Sequence, residues 1–141
     1  MSRELIYVDS LDDQRLDRFR LRERELRPRN IPARVFKTMQ TGEAEKIALG
    51  MFIAEGDLVV ERALSAGCRL VEVLTDAASP SALVQNIDAS IPVYAAHADV
   101  RKTLTGMGVA LDIMGLFERP SPLKLDELLA TARHLLVVED V

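Results

Sequence analysis

The apolar positions of this chain of 141 residues follow two different rhythms, and the change falls at Met51. From Leu11 to Arg27, LDDQRLDRFRLRERELR, apolar residues are widely spaced and no Gly or Pro interrupts them. Leu11, Leu16, Phe19 and Leu26 are too sparse for a broad core face, so the stretch predicts a helix lying on a surface. Ser10 is placed to cap it, Asp12 and Asp13 sit where a helix start favours acids, and Pro28 ends it. Residues 28–50 carry two prolines and two glycines and read as a linker, with a short helix from Thr41 to Leu49.

Beyond Met51 short apolar runs alternate with amphipathic ones. Met51–Ala54, Leu70–Thr75, Ile91–Ala95 and Val109–Phe117 predict strands. Gly56–Ala66 predicts a helix with Leu58, Val59, Ala63 and Leu64 turned inward and Gly67 as its stop. Ser79 and Pro80 open a helix running to about Ile87, by the preference for proline in the first turn. His97–Leu104 is a short helix stopped by Gly106, and Leu125–Ala132 follows the break at Pro120 and Pro122. The chain closes on RHLLVVEDV, whose Leu135–Val138 reads as a buried strand. Strands alternating with single helices predict an α/β fold with a mainly parallel sheet covered on both faces.

Composition supports a folded core: 48% of residues are apolar and 28% charged. No apolar stretch approaches the length of a membrane span, and MSRELIYVDS lacks the basic start and long apolar run of a signal peptide. A single cysteine, Cys68, excludes an internal disulfide and a cysteine-only zinc site. A cytoplasmic protein without membrane contact is the expectation. With no Trp and six Phe and Tyr residues, an aromatic base-stacking platform is poorly supplied.

The net charge of −4 speaks against a uniformly basic nucleic-acid binder, but the charge is unevenly spread. Residues 1–50 hold eleven Lys and Arg against nine acids, and residues 51–141 hold seven against thirteen. Arg15, Arg18, Arg20, Arg22, Arg24, Arg27, Arg29 and Arg34 account for most of the difference. Two readings of the N-terminal stretch follow: a solvated helix laced with ion pairs, or an arginine-bearing arm that contacts phosphate.

No catalytic constellation stands out. His97 and His134 have no metal-ligand spacing and read as a helix-start residue and a residue entering the closing strand. Cys68, in a helix-to-strand turn, reads as an inert thiol. Glu55-Gly56-Asp57 fits a general-acid site and fits a helix start equally in kind, the second being preferred. Neither GxxxxGK[ST] nor GxGxxG occurs. The glycine cluster Leu104-Thr105-Gly106-Met107-Gly108 lies beside Arg101, Lys102 and Thr103. It reads either as a backbone cradle for phosphate or as a plain helix stop.

The order of these pieces is more specific than any one of them. FIAEGDLVVERALSAGCRLVEVLTD, IPVYAAHADVRKTLTG, a strand ending in ERP and LDELLATARHLLVVEDV together resemble the N-terminal substrate-binding domain of the SpoU (TrmH-type) RNA ribose methyltransferases. The resemblance covers residues 51–141, and LIYVDSLDDQRLDRFR resembles N-terminal extensions of some members. It implies a three-layer α/β/α sandwich like that of ribosomal proteins that bind kinked RNA, with an N-terminal helical extension. It divides the chain into helix and linker (1–50), RNA substrate-binding domain (51–134) and the first strand of a knotted catalytic domain (135–141). The chain would then be cut just after that domain begins. The catalytic arginine and the S-adenosylmethionine loops would lie beyond it, leaving this portion with no catalytic, cofactor or metal residues and no activity alone.

One stretch departs from the family. Where a His-Arg/Gln-Gly element is common after Leu-Thr-Gly, this chain has Met107-Gly108-Val109-Ala110-Leu111-Asp112-Ile113, with Asp112 at a usual glycine. The implied function is RNA recognition for methylation of a ribose 2′-hydroxyl in rRNA or tRNA, within a parent enzyme expected to form a homodimer. Arg101, Lys102, Thr103, Thr105 and Gly106 are the expected RNA-binding residues, with Arg119 adding reach. The rival reading is a protein-interaction or dimerisation module, favoured by the acidic body and an unpaired apolar closing strand.

Overall fold

The structure, a computed structural model, describes residues 3–27, 50–106, 108–121 and 123–138. The linker and the helix expected within 28–49, and the last three residues, lie outside the described residues. Five strands form one sheet: β1 (Ile6–Tyr7), β2 (Met51–Glu55), β3 (Leu70–Asp76), β4 (Val93–Ala96) and β5 (Ile113–Glu118), in the spatial order β1-β4-β3-β5-β2. Helices α1 (Glu23–Leu26), α2 (Asp57–Ser65), α3 (Ala98–Thr105) and α4 (Leu125–Thr131) are joined by 3-10 turns at Gln14–Arg20 and Ala82–Asn86. The α/β sandwich expected from the alternation of runs is the fold observed.

The sheet is mixed. β1 pairs parallel to β4 and β4 to β3, whereas β5 runs antiparallel to both β3 and β2. Four strands therefore point one way and β5 alone is reversed. The cause is local: after α3 the chain does not cross to the far end of the sheet. The backbone amides of Asp76 and Gly56 donate to the carbonyls of Asp112 and Ile113, at 3.1 and 2.8 Å. The entrance to β5 is thus fixed beside the ends of β3 and β2. β5 begins at Ile113, not Val109, because residues 109–112 make this return.

Each face of the sheet is covered. On one side Val60 and Ala63 of α2, with Val84 and Ile87, pack over Leu70, Val73, Val93, Ile113 and Phe117. Phe52 and Phe117 stack there with ring centroids 5.3 Å apart. α2 departs from expectation: Leu58 and Val59 are more than half-exposed or nearly so, at 57% and 50%. Gly56 and Gly67, at φ +87° and +76°, bracket the helix and turn its Val60–Ala63 line to the sheet instead.

The other face corrects the reading of residues 11–27. They do not form one surface helix. Asp13 accepts a hydrogen bond from the Arg15 amide at 2.9 Å and so caps the 3-10 turn Gln14–Arg20, after which the chain extends at Leu21 and re-enters a helix at Glu23. Leu16, Phe19, Leu21 and Leu26 are all buried and pack with Met51, Leu74, Tyr94, Leu104 and Met114. In a 3-10 helix residues three apart eclipse, so Leu16 and Phe19 share one inward line, and the extended link at Leu21 adds to it a residue that a 3.6-residue period places on another face. Phe19 meets Tyr94 edge-on at 6.5 Å. Arg18 closes the layer with a 2.9 Å ion pair to the buried Glu72. Glu72 shares that face with Leu74 by strand alternation, and a register shift between Leu70 and Glu72 leaves Leu70 on the other face. Residues 3–27 thus belong to the same core as the segment from Met51 onward.

The C-terminal elements depart most. α4 forms as expected but buries no residue. Leu135–Val138 is not a strand and is exposed throughout. A β-branched apolar run becomes a strand only against a neighbour, and none pairs with it among the described residues. Among those residues no helix is long and apolar enough to cross a membrane.

Candidate nucleic-acid interface

The ends of β2, β3 and β4 and the entrance to β5 share one edge of the molecule, where ligands gather in open α/β sheets. Arg101 sits at its centre, but inward. With Leu104 it forms the buried face of α3, and it is 1% exposed. Its Nε donates to the Ala96 carbonyl at 3.0 Å, and its terminal nitrogens donate to the Leu111 carbonyl and the Asp76 carboxylate. Asp76 also accepts from the amides of Ala78 and Ser79, at 2.7 and 3.3 Å. Partial burial pushes the Asp76 carboxyl up, but those two amides and the Arg101 charge outweigh it and hold the group below the ordinary carboxylate range. Arg101 is therefore a structural cation fastening three segments. The expected direct contact with phosphate is corrected: the guanidinium has its acceptors inside the protein.

The rest of the expected turn is at the surface. Lys102, Thr103 and Gly106 are exposed and Thr105 is half-buried. The Thr103 hydroxyl donates to the Asp99 carbonyl at 2.9 Å and Thr105 to the Lys102 carbonyl at 3.2 Å. Gly106 closes α3 at φ +67°, the left-handed geometry expected of a helix stop. His97 is the residue before the first turn of α3, its expected place. Asp112 lends its carbonyl to the Thr75 hydroxyl at 2.9 Å, while its side chain is exposed near the same edge.

Opposite the turn runs the N-terminal segment. A cleft of about 500 Å³ lies between Thr103–Gly106 on one side, residues 19–23 and Leu26 on the other, with Ile53 and Glu55 of β2 as its floor. Arg20 and Arg22 are exposed on its wall; Arg20 is 3.4 Å from Asp17. Arg119 does not line the cleft itself. Its backbone follows β5 at the opposite end of β2 from Glu55, about 13 Å away by strand rise. Its guanidinium reaches back to form an ion pair with Glu23 on the cleft wall. The structure thus unites Thr103, Thr105 and Gly106 around the cleft with Lys102 beside them. Arg101 lies beneath them, and Arg119 touches the cleft only through Glu23. Arg20 and Arg22 belonged in the sequence to a general run of arginines, with nothing to set these two apart.

No protein-family model matches the sequence, and no curated protein does. A solved structure does: a crystal structure of RNA 2′-O ribose methyltransferase superposes with a TM-score of 0.54, over 84% of this chain at 18% identity. The two share a fold. The chain spans 39% of that enzyme's length. At this identity the likeness concerns the path of the backbone and transfers no residue roles. The cleft itself is open, with Arg20, Arg22 and Glu23 on its wall and Glu55 on its floor.

Proposed function

We propose that these residues recognise RNA for an S-adenosylmethionine-dependent methyltransferase that acts on a ribose 2′-hydroxyl of rRNA or tRNA. The observation that carries this reading is the shared fold over most of the chain with an RNA 2′-O ribose methyltransferase. The ordered FIAEG, IPV, LTG and LLVVEDV pieces point the same way independently. In this reading the chain holds RNA at the edge where α3 ends. Methyl transfer and cofactor binding belong to residues outside these 141, in a cytoplasmic, homodimeric parent enzyme.

Two outcomes are expected of the purified chain. Its affinity for unmodified tRNA or an rRNA hairpin, followed by fluorescence anisotropy, falls with salt at a log–log slope of about −2, as for about three phosphate contacts to unpaired strand. Incubated with radiolabelled S-adenosylmethionine and the same RNA, it transfers no label. Absence of binding at low salt would sink the reading, and so would affinity indifferent to salt; label in the RNA would overturn the division of labour.

The exposure of Leu125, Leu129 and Leu135–Val138 favours a second reading, a protein-interaction or dimerisation module. That module would show concentration-dependent association by light scattering and no affinity for RNA.

A further inference from the structure

We infer that the cleft between Arg20–Glu23 and the Thr103–Gly106 turn takes an unpaired stretch of RNA backbone, with Arg20 and Arg22 as its phosphate-binding cations. This deepens the proposed function and rests on it.

With Arg101 committed to Asp76 and two carbonyls, the basic pair beside the turn is reduced to Lys102. The cleft has cations nonetheless, and the fold fixes where they point. Residues 19–22 alternate: Phe19 and Leu21 are buried, Arg20 and Arg22 exposed. Leu21 and Arg22 are extended, at ψ 133° and 159°, so successive side chains face opposite ways. Driving Phe19 and Leu21 into the core therefore drives both guanidiniums outward along one wall. Leu16, Leu26 and the Arg18–Glu72 ion pair secure the segment on either side, so the two cations sit on an anchored support. Arginine's planar fork suits phosphate oxygens in pairs.

The acids of the cleft set the orientation. Glu23 is engaged by Arg119 and lies 4.0 Å from Arg27. Glu55 stands on the floor and repels phosphate. A backbone laid in the cleft places phosphates on the arginine wall and turns ribose hydroxyls or base amino groups toward Glu55, which accepts from them. A cleft of about 500 Å³ admits a nucleotide or two and excludes a duplex, whose bases are shielded in any case.

The test uses the full chain and two fluorescein-labelled RNAs, a hairpin with an unpaired loop and a fully paired duplex of equal length. R20A/R22A is expected to weaken hairpin binding about tenfold at low salt and to make the salt slope shallower by about 1.4, for two lost phosphate contacts. R20K/R22K, which keeps the charge without the fork, restores the salt slope and part of the affinity. R62A/R69A removes the same charge from the last turn of α2 and the approach to β3, and keeps hairpin affinity within about twofold of the unaltered chain. Unchanged binding by R20A/R22A, with its thermal unfolding intact, overturns the inference and leaves the proposed function standing. Equal affinity for duplex and hairpin also overturns it. Failure of the unaltered chain to bind either RNA overturns the proposed function, and this inference with it.

Discussion

The guanidinium of Arg101 serves acceptors from the end of β4, the entrance to β5 and the end of β3. Replacing Arg101 with Met would strand Asp76 and two carbonyls. The expected cost is about 3 kcal/mol, read as a lower midpoint in urea unfolding. Asp76 adds a pH dependence. Its carboxyl lies below the ordinary range in the folded protein, so it stabilises fully above the unfolded-state pKa and loses that contribution as pH falls through the folded value. Unfolding followed from neutral to acid pH should show an acid limb that D76N flattens. The sequence distinguished these roles poorly. Arg101 and Lys102 are adjacent and chemically alike, and only the rotation of α3, which pairs Arg101 with Leu104 on its inner face, separates a buried cation from an exposed one. The partner Asp76 is on another strand, out of reach of any local pattern.

At the scale of elements, the segment from Gln14 to Leu26 carries the largest difference between pattern and fold. Phe19→Ala should cost about 3–5 kcal/mol, because it empties a buried site against Tyr94. A residue on a solvated helix would cost less than about 0.5 kcal/mol. Thermal or urea unfolding decides between the two. The strands from Met51 to Glu118 were readable because strands buried on both faces make near-continuous apolar runs, punctuated here by Gly56, Gly67 and Gly106. Their limits moved where tertiary hydrogen bonds decide them, as at Val109–Asp112. The N-terminal segment differs from its pattern because an extended link at Leu21 and Arg22 interrupts the helix and buries Leu21, which a continuous helix would turn away from Leu16 and Phe19. Leu135–Val138 was misread because pattern alone supplies no neighbouring strand.

Over the whole molecule, two of the N-terminal arginines, Arg20 and Arg22, find a spatial meaning. Residues 3–27 pack into one layer of the sandwich and place Arg20 and Arg22 on the cleft at the edge where β2 ends. The same edge carries the Thr103–Gly106 turn, and the fold is shared with a portion of an RNA 2′-O ribose methyltransferase. The most direct measurement is amide NMR of the ¹⁵N-labelled chain titrated with an unmodified RNA hairpin at low salt. Shifts should concentrate at residues 19–23, Glu55 and 102–106 and fade as salt is added. Shifts confined to α2 and the Ala82–Asn86 turn, or none at all, would contradict the account.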